Sequence, residues 1–258
     1  MTLKINLLIL NVWTAILIFA SFYVLFNALT FGVYFVVENF TSNASLQVEV
    51  SEFLALTITF ILLMFNKLLK INIAFELKTD YILLTLIAAI GIRVSLDPIF
   101  RFENIINNAE LPSLSESNFL LTPSFILGVL STLILKPIVE EVIFRCIILK
   151  GLLVKYSSAI AILISSMLFS IYHMSITNSI PTFLFSIVAC LIYVKTQKLT
   201  YSILLHVFSN SLWLFLSIYT KEYWNVQGLL DYGIIYWAIV LGAIVLTSTI
   251  VLKSFKSS

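Results

Sequence analysis

Apolar stretches long enough to cross a lipid bilayer, or nearly so, follow one another along almost the whole chain. Roughly 20 apolar residues in an α-helix, at about 1.5 Å rise each, span the hydrocarbon core. A succession of such runs constrains the chain to an all-α, polytopic membrane architecture. Composition agrees. Of 258 residues, 60% are hydrophobic and 11% charged, against about 25% charged in a soluble domain. The net charge of +2 sorts along the connections rather than forming a basic patch, so it does not point to nucleic acid and no nucleic-acid partner is expected.

Eight spans are predicted, at about 7–36, 53–66, 81–96, 123–149, 158–175, 181–194, 200–218 and 232–252. The second and sixth, at about 14 residues, are short for a bilayer crossing. The first run follows only Lys4 and exceeds the apolar core of a signal peptide, so a retained first span is expected. Of the 15 Lys and Arg residues, Arg93, Lys136 and Arg145 lie inside spans. Ten of the rest, from Lys4 to Lys256, fall at alternate connections, and only Arg101 and Lys221 at the others. That asymmetry predicts eight crossings with both termini in the cytosol. Two sequons, at Asn39 and Asn43, fall in the first outer loop. The two cysteines, Cys146 and Cys190, lie in apolar runs and read as packing residues rather than a disulfide.

An ionisable side chain at membrane depth costs at least about 2.5–3.5 kcal/mol, so each needs a partner or a task. Arg93 has Asp97 one turn on, the spacing of a helical ion pair. The run Lys136–Arg145, KPIVEEVIFR, is less easily explained. Glu141 and Arg145 share a helix face and can neutralise one another. Glu140 points about 100° away and is not absorbed by that pair. Lys136 is one turn before Glu140, but Pro137 disfavours helical geometry at Lys136. A break there would start a new helical segment at Pro137, with Glu140 near its positive end.

His173 and His206 are the only histidines, and both sit in apolar helices. Phe169 and His173 are one turn apart, as are His206 and Asn210. Singly, these can be packing residues or interhelical hydrogen bonds. Jointly, Glu140, His173, His206 and Asn210 come from three spans, the fourth, fifth and seventh, and are economically explained by one polar cavity between them. A carboxylate with an imidazole can activate water, and an imidazole with an amide can receive an oxyanion. Glu140, His173 and His206 could instead hold zinc or another divalent metal with its water; no HExxH is present. Counted from the cytosolic helix ends, Glu140 and His206 lie about 15 and 9 Å deep and His173 about 22 Å, levels that straight upright helices do not reconcile.

Three elements in this order, EExxxR (Glu140 to Arg145), FxxxH (Phe169 to His173) and HxxxN (His206 to Asn210), resemble the CPBP family of intramembrane proteases. That family includes type II CAAX prenyl endopeptidases and bacterial Abi proteins. Many of its members have Gly after the motif-one Arg, where this chain has Cys146. The resemblance implies Glu140 as catalytic carboxylate, His173 as its partner on water, and His206 with Asn210 as oxyanion receptors. Glu141 and Arg145 would support them. It implies a catalytic core at 123–215 after variable helices over 1–122 and before a C-terminal helix in 216–258. It implies hydrolysis of a peptide or lipid-modified protein substrate near the cytosolic face, by Glu-activated or metal-bound water. The Ile, Lys and Asn richness suggests a bacterial cell membrane, with bacteriocin or signalling-peptide processing or self-immunity as the setting. The competing class is a non-catalytic immunity or sensor scaffold that binds a toxin or partner protein. A proton-coupled transporter is disfavoured because no paired half-repeats appear.

Overall fold

A computed structural model describes residues 10–65, 77–107, 122–173, 176–219 and 233–254. Among these residues the chain is helical without strands. The helices are α1 (Val12–Val37), α2 (Ala44–Phe65), α3 (Thr79–Asn107), α4 (123–153), α5 (Ser158–Tyr172), α6 (Ile176–Thr196), α7 (Leu199–Tyr219) and α8 (233–254). Six of them are long and apolar enough to cross a membrane, so the protein is a multi-pass membrane protein. The other two, α4 and α5, differ for physical reasons. α5 has only 15 residues, and α4 carries the charged run and is interrupted by π turns. The expected segments around Lys4, Lys67, Lys70, Lys221 and Lys256 lie outside the described residues.

Boundaries moved where polar side chains satisfy themselves inside the bundle. α2 starts at Ala44 rather than near 53, because its polar first turns have partners. Asn43 Oδ1 accepts from the Leu46 amide at 3.0 Å and Tyr34 donates to Gln47 Oε1 at 3.0 Å. Ser51 donates to its own helix at the Gln47 carbonyl, 2.6 Å away. α1 begins at Val12, after a capping box in which Asn11 and Thr14 exchange hydrogen bonds. α6 begins before Pro181 rather than at it. There the Ser179 carbonyl accepts from both Ser170 and Thr182. α3 likewise runs through Pro98. Cys146 is half-buried, Cys190 is buried, and both are free.

α4 is one rod built from Pro123–Leu130, a π stretch Ser131–Leu135, Lys136–Glu141, a second π stretch Val142–Leu149, and Lys150–Leu153. The expected break at Pro137 does not occur. Lys136 keeps helical angles, φ −61° and ψ −50°, because the wider i→i+5 turns ahead of the proline absorb its missing donor. In lipid a carbonyl displaced from the α register must find another donor. Neighbouring helices supply them: Ser165 of α5 donates to the Phe144 carbonyl at 3.0 Å and Asn210 of α7 to the Thr132 carbonyl at 2.9 Å.

The observed end of α4 removes the depth mismatch between Glu140 and His173. α4 continues to Leu153, which places Glu140 about 20 Å from the α4–α5 connection, level with His173 at about 22 Å. α7 starts inside the bundle, since Leu199, Thr200, Tyr201 and Ser202 are all buried.

α4 packs on α2 and α5, α5 on α6, α3 on α7, and α8 on α3. The α3–α8 contact depends on Gly91, where an added Cβ would lie 2.0 Å from Thr247 Oγ1. Gly91→Ala is expected to cost about 1–3 kcal/mol by overpacking and to lower the melting temperature in detergent. Thr247→Ala should restore most of the loss; an unchanged melting temperature for Gly91→Ala alone would show that α8 is not seated there.

Candidate active site

The second half of α4 is the most buried part of the described chain. Glu140 is 1% exposed and Glu141 and Arg145 are 0% exposed. Glu141 Oε2 and Arg145 Nε are 3.1 Å apart, as the one-turn spacing requires. Arg145 is held on two further sides: Nη2 donates to Ser186 of α6 at 3.2 Å, and the guanidinium stacks 4.6 Å from the Phe169 ring centre. Lys136 does not turn to Glu140. Its Nζ lies 3.6 Å from Glu52 Oε1 on α2, which leaves Glu140 to the interior.

His206 stands between the two adjacent carboxylates. Its Nδ1 is 3.1 Å from Glu141 Oε1 and its Nε2 3.7 Å from Glu140 Oε2. A carboxylate accepts, so Nδ1–H donates to Glu141 and Nε2 is the ring nitrogen left toward Glu140. Glu140 is otherwise bare: neither oxygen has a hydrogen-bond partner among the described residues. Two carboxylates thus face one guanidinium and one imidazole.

His173 closes α5 as its C-terminal cap. Its Nδ1 lies 2.9 Å from the Phe169 carbonyl. A carbonyl only accepts, so Nδ1 carries the proton and Nε2 keeps a lone pair in the neutral ring. Phe169 therefore serves three neighbours at once. Its carbonyl fixes His173, its face carries Arg145, and its ring lies 5.9 Å from that of His206.

His173, His206 and Asn210 line one cavity of about 130 Å³, room for several waters. The expected walls were the fourth, fifth and seventh helices. The lining residues instead come from α3 (Ile92, Arg93, Leu96), α5, α6 (Pro181, Thr182, Phe185) and α7. α4 contributes from behind His206 rather than at the wall, because Glu140 and Glu141 point into the α4–α7 contact. Arg93 and Asp97 are both buried, one turn apart; Arg93 faces the cavity, and Asp97 accepts from Tyr236 of α8 at 2.7 Å. The contributions of α6 could not be read from the sequence. Phe185, whose ring centre is 5.0 Å from that of His206, and Ser186 belong to no spaced motif.

Among the described residues no three His, Cys, Asp or Glu side chains are grouped to hold a metal ion. Glu140, His173 and His206 are not drawn together as a zinc ligand set among the described residues.

Neither a curated protein nor a solved structure matches the chain. Residues 122–212 match the family described as Type II CAAX prenyl endopeptidase Rce1-like. That segment holds all three motifs, the Glu141–Arg145 pair and the cavity-lining His173, His206 and Asn210. Between residues 122 and 212, then, this multi-pass membrane protein is similar to the Rce1-like family of type II CAAX prenyl endopeptidases.

Proposed function

We propose that the protein cleaves a peptide bond of a peptide or lipid-modified protein, with Glu140 as the base that activates water and His173 as its partner. The observation that carries this reading is the disposition of the two adjacent carboxylates. Glu141 is tied to Arg145 and His206 Nδ1, while Glu140 is buried, accepts no hydrogen bond among the described residues, and meets the Nε2 side of the same imidazole. A buried carboxylate with no hydrogen-bond donor of its own among the described residues, set behind the His206 ring that lines the cavity, is poised to accept a proton. Glu140 takes a proton from water as the water attacks the scissile carbonyl. His173, through Nε2, orients that water. The Asn210 amide, joined by His206 when its Nε2 carries a proton, receives the charge that develops on the carbonyl oxygen. Collapse of the tetrahedral intermediate returns the proton to the leaving amine.

We further place both termini in the cytosol of a bacterial cell, following the ten-to-two distribution of basic residues. The cleavage site then lies toward the cytosolic side, and a peptide precursor of a bacteriocin or signal is a fitting substrate. The test compares membrane-bound and secreted peptides of cells making wild type or His173→Ala at equal protein levels. A precursor that accumulates only with the variant supports the reading and identifies the substrate. Identical peptide profiles, under conditions where the wild type has a phenotype, would favour a binding scaffold.

A further inference from the structure

Thr132 lies in the first π stretch of α4, five residues before Pro137. In that stretch the Lys136 amide donates to the Ser131 carbonyl, one residue further back than an α-helix would use. The next donor in this register would be position 137, and proline has no N–H. The Thr132 carbonyl therefore has no donor from its own helix in either register. Asn210 Nδ2 donates to it from α7 at 2.9 Å. Asn210 also lines the cavity, one turn beyond His206.

We propose that Pro137 is a positioning residue for Asn210. By denying Thr132 a backbone donor, the proline creates the acceptor that orients the Asn210 carboxamide. An Asn side chain is soft about its terminal torsion, so an unanchored amide would present oxygen and nitrogen to the cavity in turn. Anchoring one N–H on α4 fixes the amide plane and the direction of the second N–H. The catalytic consequence rests on the reading of Asn210 as an oxyanion donor; the Pro137–Thr132–Asn210 link does not. Pro137 lies three residues before Glu140, so one short segment of α4 both supplies the base and sets the opposing amide.

The experiment uses the full chain in detergent micelles, with Pro137→Ala and Asn210→Ala made singly and together. An N–H restored at 137 lets α4 return to i→i+4 spacing, so Thr132 accepts from Lys136 and Asn210 loses its anchor. Pro137→Ala should then raise the melting temperature by several degrees more in the Asn210→Ala background than in wild type, where the gain is offset by the lost interhelical bond. Equal shifts in both backgrounds overturn the link. If Asn210→Ala does not accumulate, Asn210→Leu, which keeps the volume, takes its place in the same cycle. Turnover is read with a quenched farnesylated peptide ending in Cys-aliphatic-aliphatic-Met. Losing one oxyanion donor lowers kcat by about 10²–10³-fold. Pro137→Ala should lower kcat by about tenfold or more, with KM little changed, and the double variant should equal Asn210→Ala. Losses that multiply overturn the positioning role. A wild-type kcat in Asn210→Ala would remove the oxyanion reading, and an uncut probe would count against this substrate class. In both cases the melting cycle still decides the link.

Discussion

Glu140→Gln lowers peptide-bond cleavage by about 10³-fold or more and melts no lower than wild type. The two halves of this expected result have one cause. Glu140 is 1% exposed, its oxygens accept no hydrogen bond among the described residues, and His206 Nε2 lies 3.7 Å from Oε2. A carboxylate so placed costs stability, at least about 2.5–3.5 kcal/mol on insertion scales. Glutamine keeps the shape and removes the charge, so the fold loses nothing while the base disappears. Residues held at a stability cost for chemistry behave in this way. The check is a thermal melt beside a cleavage assay on one purified preparation. A variant that melts several degrees lower would make Glu140 a structural tie; one that cleaves like wild type would remove it from the mechanism.

Arg145→Leu should act in the opposite way and collapse the fold. Both partners of the Glu141–Arg145 pair are 0% exposed. Removing one leaves a buried charge, at a cost of about 3–5 kcal/mol. The substitution also empties the guanidinium's place over Phe169 and its bond to Ser186, and leaves two carboxylates facing His206 alone. The variant should accumulate poorly and melt well below wild type. Replacing the pair by apolar residues removes the stranded charge, so Glu141→Leu/Arg145→Leu should recover much of the stability. It should remain inactive, because His206 Nδ1 loses the Glu141 oxygen that orients it. A single Arg145→Leu protein as stable as wild type would show that the pair carries no structural role.

Both outcomes concern residues that stand out in the sequence as charges inside an apolar run, and what a sequence can say of such residues has a physical limit. Periodicity and helix-face geometry assign Glu141 to Arg145 and leave Glu140 over, because a pair four residues apart is settled within one helix. The same local rule offers Lys136 to Glu140. It fails because Glu52 on another helix gives Lys136 a partner away from the buried face. The predicted break at Pro137 fails for a related reason. The π turns of α4 leave carbonyls that only side chains from α5 and α7 can satisfy, and a rule about one helix cannot see those donors. The second and sixth spans come out short when apolar length is counted, whereas the polar first turns of α2 are satisfied by α1 and the loop before it.

The sequence by itself determined the membrane setting, the helical class, the three motifs, and the pairing of Glu141 with Arg145 that leaves Glu140 over. Each depends on hydropathy, or on spacings within one helix. Only the tertiary structure decided that His206 sits between those glutamates and that α3 and α6 wall the cavity. It alone tied Asn210 to the Thr132 carbonyl that Pro137 leaves open. Those contacts join residues tens of positions apart, and they are set by where the helices end and which backbone groups lack a donor in lipid.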